Sequence, residues 1–170
     1  MPGHDALARL QGAAVFWSIG SGSAAQVIEA ACDCLTAGMD SPTLRILAGI
    51  SPVKGNESDE LRRWLDVALA EHSLTYHQEG SHEGAEEALR IMARRLLAET
   101  IAPRDLTSWA YSFITYEGTP RAAELIALDN AYEYVDAVHD GNLYTASVDI
   151  DADVIAEARR LVGDTTGENS

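Results

Sequence analysis

The chain has 170 residues, 46% of them hydrophobic, with 27 acidic side chains against 12 basic ones and a formal net charge of -15. That length fits one domain burying roughly 70% of its unfolded surface, and the apolar share excludes a disordered chain. The negative field repels phosphate, so nucleic acid and anionic membrane surfaces are not expected as direct partners, whereas a basic protein or a cation is attracted.

Met1-Pro2-Gly3-His4-Asp5 lacks the positive start of a secretory signal, and no apolar run approaches the roughly 18 residues that span a bilayer. A cytoplasmic protein is expected. The first 20 residues read as a helix, with Leu7, Leu10, Ala14 and Trp17 at helical spacing, broken by Gly20-Ser21-Gly22. Ser23 opens a second helix, and Gln26 completes a capping-box pattern ahead of the apolar stripe Val27, Ile28, Ala31 and Leu35. Cys32 and Cys34 are the only cysteines. One intervening residue sets them roughly 200° apart on a helix, too far round to bridge, so buried reduced thiols are expected.

Ser41-Pro42 is a cap followed by a first-turn proline, starting a short helix with Leu44, Leu47 and Ala48. A loop runs from Gly49 to Ser58. Leu61, Trp64, Leu65, Ala68, Leu69 and His72 then mark the clearest amphipathic helix. Leu74 to Gly80 is an irregular link, and a long helix from about Ser81 to Glu99 turns Leu89, Met92, Ala93 and Leu96 inward. Beyond Pro103, the residues Leu106, Trp109, Ala110 and Phe113 continue an inward stripe.

Thr119-Pro120 repeats the cap-then-proline device before a helix whose buried face is read as Leu125, Leu128, Ala131, Tyr132, Val135 and Val138. Asp140-Gly141-Asn142 is a turn. Tyr144, Ala146, Val148 and Ile150 then alternate with polar residues at the period of a strand, read as an extended linker unless Leu74 to His77 pairs with it. Asp151 is read as the cap of a final helix carrying Val154, Ile155, Ala158 and Leu161. The expected fold is all-α, a compact bundle or array of about seven or eight helices with room for one short two-stranded ribbon. One domain is expected over residues 1–162, with a flexible polar tail at 163–170.

Charge is concentrated late in the chain. Between Glu117 and Glu157 ten acidic residues face a single basic one, Arg121, for a net charge of -9. Glu124, Asp129, Glu133, Asp136 and Asp140 advance at near-helical intervals and predict one negative ridge, with Tyr134 beside it. Like charges at such spacing destabilise a helix by a few tenths of a kcal/mol per pair, which makes a ridge that keeps them a candidate partner-binding face. The leading expectation is a protein-interaction module that docks a basic partner through these residues.

The alternative is a small enzyme or metal-binding protein built on His77, His82 and Glu86, with a divalent metal as its cofactor; otherwise none is implied. Homo-oligomer formation stays open beside both. Asp149-Ile150-Asp151-Ala152-Asp153 begins like a calcium loop, but Val154 stands where the loop needs glycine and Arg160 where it needs glutamate. His139 beside Asp140 is a further acid-base pair in sequence. No phosphate loop, nucleophile elbow or basic aromatic stripe is present in the sequence.

Asp40-Ser41-Pro42-Thr43-Leu44-Arg45-Ile46-Leu47-Ala48-Gly49, followed by an acidic amphipathic helix, resembles short all-helical proteins of high-GC actinobacteria over residues 38–72. Lys54 as the only lysine and the alanine-rich helices fit that origin, and the resemblance implies no activity. In acidity, size and helical content the chain is also similar to immunity proteins that cap basic toxins, which implies an inhibitor's role.

Overall fold

A computed structural model describes residues 2–138 and 143–163. The chain is all-α: 79% of it is helical, with eight helices of seven residues or more and no strand among the described residues. It divides into two compact units, Met1–Gly84 and Ala85–Ser170.

The first unit is built from α1 (Pro2–Ser18), α2 (Ala24–Thr36), α3 (Pro42–Ala48) and α4 (Glu57–Glu71). Consecutive helices pack on one another, α1 on α2, α2 on α3 and α3 on α4. Their stripes interlock in one core in which Leu10, Val27, Cys34, Leu44, Leu47, Leu61, Leu65 and Leu69 are wholly buried. Local chemistry sets the corners. Ser21 and Gly22 both donate their amides to the Phe16 carbonyl at 3.0 Å, turning the chain back sharply. A Cβ on Gly22 would stand 3.1 Å from the Trp17 nitrogen, so glycine permits this close return. Ser23 and Gln26 form the reciprocal capping box, and Ser41 caps α3 ahead of Pro42.

The second unit holds most of α5 (His82–Leu97), whose first turn falls in the first unit. It continues with α6 (Pro103–Trp109), a π-helical turn at Ala110–Ile114, the four-residue α7 (Thr115–Gly118), α8 (Ala123–Ala137) and α9 (Leu143–Gly163). Here α8 packs on α9, and α6 packs on both. Leu106, Ala110, Leu125, Ile126, Val154 and Ala158 are wholly buried. Asp105 reaches back to accept the Ala102 amide at 2.9 Å, so a carboxylate satisfies the start of α6 where alanine offers no cap.

Five expectations are corrected by this arrangement. The ribbon does not form, because Tyr144 to Ile150 lies in α9 and Leu74 to His77 has another partner. Gln11 donates to the Thr75 carbonyl at 2.7 Å and accepts the Thr75 amide at 2.8 Å, giving that extended link the two bonds a neighbouring strand would have supplied. Ile150, Val154, Ala158 and Leu161 form one continuous buried helical stripe, and four alternating residues are too short to outweigh it. Asp151 accordingly sits inside α9 and caps nothing.

After α6 the π turn passes the buried position from Phe113, which is 44% exposed, to Ile114. The buried arc of α8 includes Ile126 and Asp129, while Val138 at its end is exposed. Of the two thiols, Cys34 is buried but Cys32 is exposed; neither is bridged. The turn at 140–142 and the tail at 164–170 lie outside the described residues.

Candidate functional site

Asp129, Glu133 and Asp136 do share one face of α8, at i, i+4 and i+7, but that face turns toward α6. Asp129 is buried and accepts a hydrogen bond from the Thr107 hydroxyl at 2.9 Å. Arg104, one turn earlier on α6, pairs with Asp136 and, at 3.4 Å, with Glu133. Its guanidinium carbon also lies 5.3 Å from the centre of the Tyr132 ring. The hydrogen bond from Arg104 holds the Asp136 carboxyl below its usual range, and Asp136 in turn raises Arg104. A cation from outside the acidic stretch thus occupies the middle of the expected ridge.

Glu124 lies off that ridge. Five residues before Asp129 place it roughly 140° round the helix. Tyr134 points outward and is 70% exposed. Two further acids are used internally: Asp151 accepts the Tyr132 hydroxyl, and the buried Glu157 takes Arg160 at 2.9 Å. Burial, and then the bond to Asp151, push the Tyr132 phenol above its ordinary range. Glu117, Glu124, Asp149 and Asp153 remain exposed, and none meets a cation or a side-chain donor among the described residues. Asp140 and His139 lie outside the described residues.

The expected metal set is not assembled. His82 and Glu86 stand one turn apart on α5, and the Glu86 carboxylate faces Arg90 at 3.7 Å, Arg121 at 3.6 Å and the Thr119 hydroxyl at 3.4 Å. Among the described residues no three histidine, cysteine, aspartate or glutamate side chains are grouped to hold a metal ion. Glu86 ties the start of α8 to α5, and that ion-pair work consumes the ligand capacity its spacing from His82 suggested.

A different histidine has a chemical neighbour. His72 Nε2 stands 3.0 Å from Ser41 Oγ, a base-to-nucleophile distance between residues 31 positions apart. Beside them Glu71 accepts the Thr43 hydroxyl at 2.7 Å and the Thr43 amide at 3.3 Å. Hydrogen bonds from Ser41 and then Thr43 hold the Glu71 carboxyl below its ordinary range. Acyl transfer at Ser41 needs free amide donors for an oxyanion, yet the Thr43 amide is taken by Glu71 and the Leu44 amide by Ser41 itself. The cluster therefore fastens the end of α4 to the start of α3. No linear motif signals it, since Ser41 reads as a cap and His72 as part of an apolar stripe.

Comparison with known proteins finds no matching family model, no matching curated protein and no matching solved structure. Pro2, Asp5, Arg9, Asp33, Thr36 and Ala37 line an open groove of about 380 Å³ between α1 and α2. No helix is long and apolar enough to cross a membrane among the described residues.

Proposed function

We propose that this protein is an acidic interaction module that docks a basic protein partner, in the manner of an immunity- or antitoxin-type inhibitor. The observation that carries the reading is the set of second-unit carboxylates that the fold leaves exposed without an internal cation: Glu117, Glu124, Asp149 and Asp153. Pairing these acids internally would lower the repulsion within a chain of net charge -15. Left in solvent, they raise the rate of encounter with a cationic surface and disfavour anionic partners, nucleic acid included.

Glu133, Asp136 and Tyr134 border the same helix, with the first two shared with Arg104. Asp129 takes no part, because it faces Thr107. The reading implies a cytoplasmic protein, which two unbridged thiols fit.

The test is retention of a basic protein from the native host's lysate at low and at high salt. A partner held at low salt, released at high salt and lost on combining Glu124→Lys with Asp149→Lys supports electrostatic docking. Undiminished binding by the charge-reversed protein would sink the idea.

A further inference from the structure

Two unfavourable backbone conformations stand side by side after α6. An α-helical continuation of α6 would set Phe113 on the buried stripe with Leu106 and Ala110, at i, i+4 and i+7. The chain instead takes a π turn over Ala110–Ile114, a rare geometry that favours functional sites. Ile114 fills the core, and Tyr111, Ser112 and Phe113 form an exposed arc in which the two rings are 54% and 44% exposed. The next residue, Thr115, has φ 58° and ψ 175°, a region in which a β-branched side chain is strained and which glycine normally occupies. What the pair accomplishes is the display of two aromatic rings. Both α7, with Glu117, and α8, with Glu124 in its first turn, pack against this turn.

We infer that the Tyr111–Phe113 turn is the docking surface for a basic segment of a protein partner, its rings covering the aliphatic stems of arginine or lysine while Glu117 and Glu124 meet the charges. This rests on the docking reading above and moves the contact away from Glu133 and Asp136, which Arg104 already engages. Charge complementarity selects the occupant: Glu117 and Glu124, on the two helices packed against the turn, face no cation among the described residues, and a second copy of this chain would bring another charge of -15. Aromatic rings flanked by charge are the usual anchors of such contacts.

The experiment titrates the full chain with a synthetic peptide of alternating arginine and leucine, following backbone amide shifts and affinity. The expected result is shifts centred on residues 110–118, with a Y111S/F113S variant binding about tenfold more weakly and E133Q/D136Q changed less than about twofold. Shifts centred on Glu133 and Asp136, or full affinity in Y111S/F113S, overturn this surface while leaving the docking reading intact. No binding by the unmodified protein overturns the docking reading itself. Sedimentation showing self-association that F113S abolishes assigns the turn to a second copy and overturns the basic partner. The shift map is read on the unmodified protein, so a misfolded variant does not blunt the test.

Discussion

In the first unit the side chains buried between α1, α2, α3 and α4 are mainly alkyl, indole or thiol, and Ser23, Ser41, Thr43 and Glu71 bond at helix ends while Gln11 holds the Thr75 link. In the second unit polar pairs lie between helices, Thr107 with Asp129 across α6 and α8, and Tyr132 with Asp151 across α8 and α9. Apolar packing fixes which faces meet but tolerates sliding, whereas a hydrogen bond between two helices is met in one register only. The second unit thus holds its helices in place with directional contacts, and beside them it sustains a π turn and a strained threonine. The first unit also places a non-glycine residue, Ser73, at φ 57°, but has no π turn among its described residues.

The contrast can be broken most severely in the first unit. Leu65→Ala removes a wholly buried side chain and should cost about 2–5 kcal/mol, read as a lower urea midpoint for amide protection in α4. A loss below half a kcal/mol would show a core looser than its burial implies. In the second unit Thr107→Val keeps shape and removes the donor to Asp129; leaving that carboxylate without its bond should cost about 1–3 kcal/mol. A neutral result would place the register of α6 and α8 in packing alone.

Thr115→Gly works in the opposite direction. Relief of the strained φ and ψ outweighs the added freedom of the unfolded glycine, so stability should rise by about 1 kcal/mol, measured by thermal and urea unfolding. A fall would mean that Thr115 is not strained. The smallest effect concerns pH. Glu71 has its folded pKa lowered, so its contribution is present above its ordinary value of about 4.3 and lost as pH falls through the lower folded value. Glu71→Gln should flatten the acid limb of a plot of melting temperature against pH, and an unchanged limb would remove Glu71 from the join between α3 and α4.

How much of this could be read from the sequence differs between the units for the same physical reasons. Leu61, Leu65, Ala68 and Leu69 recur at helical spacing, and Ser23 with Gln26 and Ser41 with Pro42 are local devices, so both the stripes and the corners of the first unit are legible. Spacing also places Asp129, Glu133 and Asp136 on one face of α8. It gives the face but not its direction: Arg104 lies 29 residues before Glu133, and only folding shows that it stands opposite. The π turn adds one residue to a helical turn and exchanges Phe113 for Ile114, a shift that a fixed period cannot reveal. Gln11 likewise meets Thr75 from 64 positions away, and without that contact the extended link looks like a strand in want of a partner.

The two thiols of α2 make the native chain a counter of its own opening. Cys32 is exposed, while Cys34 is wholly buried and burial pushes its thiol up, scarce as thiolate at neutral pH. An alkylating reagent should therefore take one equivalent per folded chain quickly and a second only when α2 parts from its neighbours. The slow phase of that uptake times the breathing of the first unit, with no substitution in the chain.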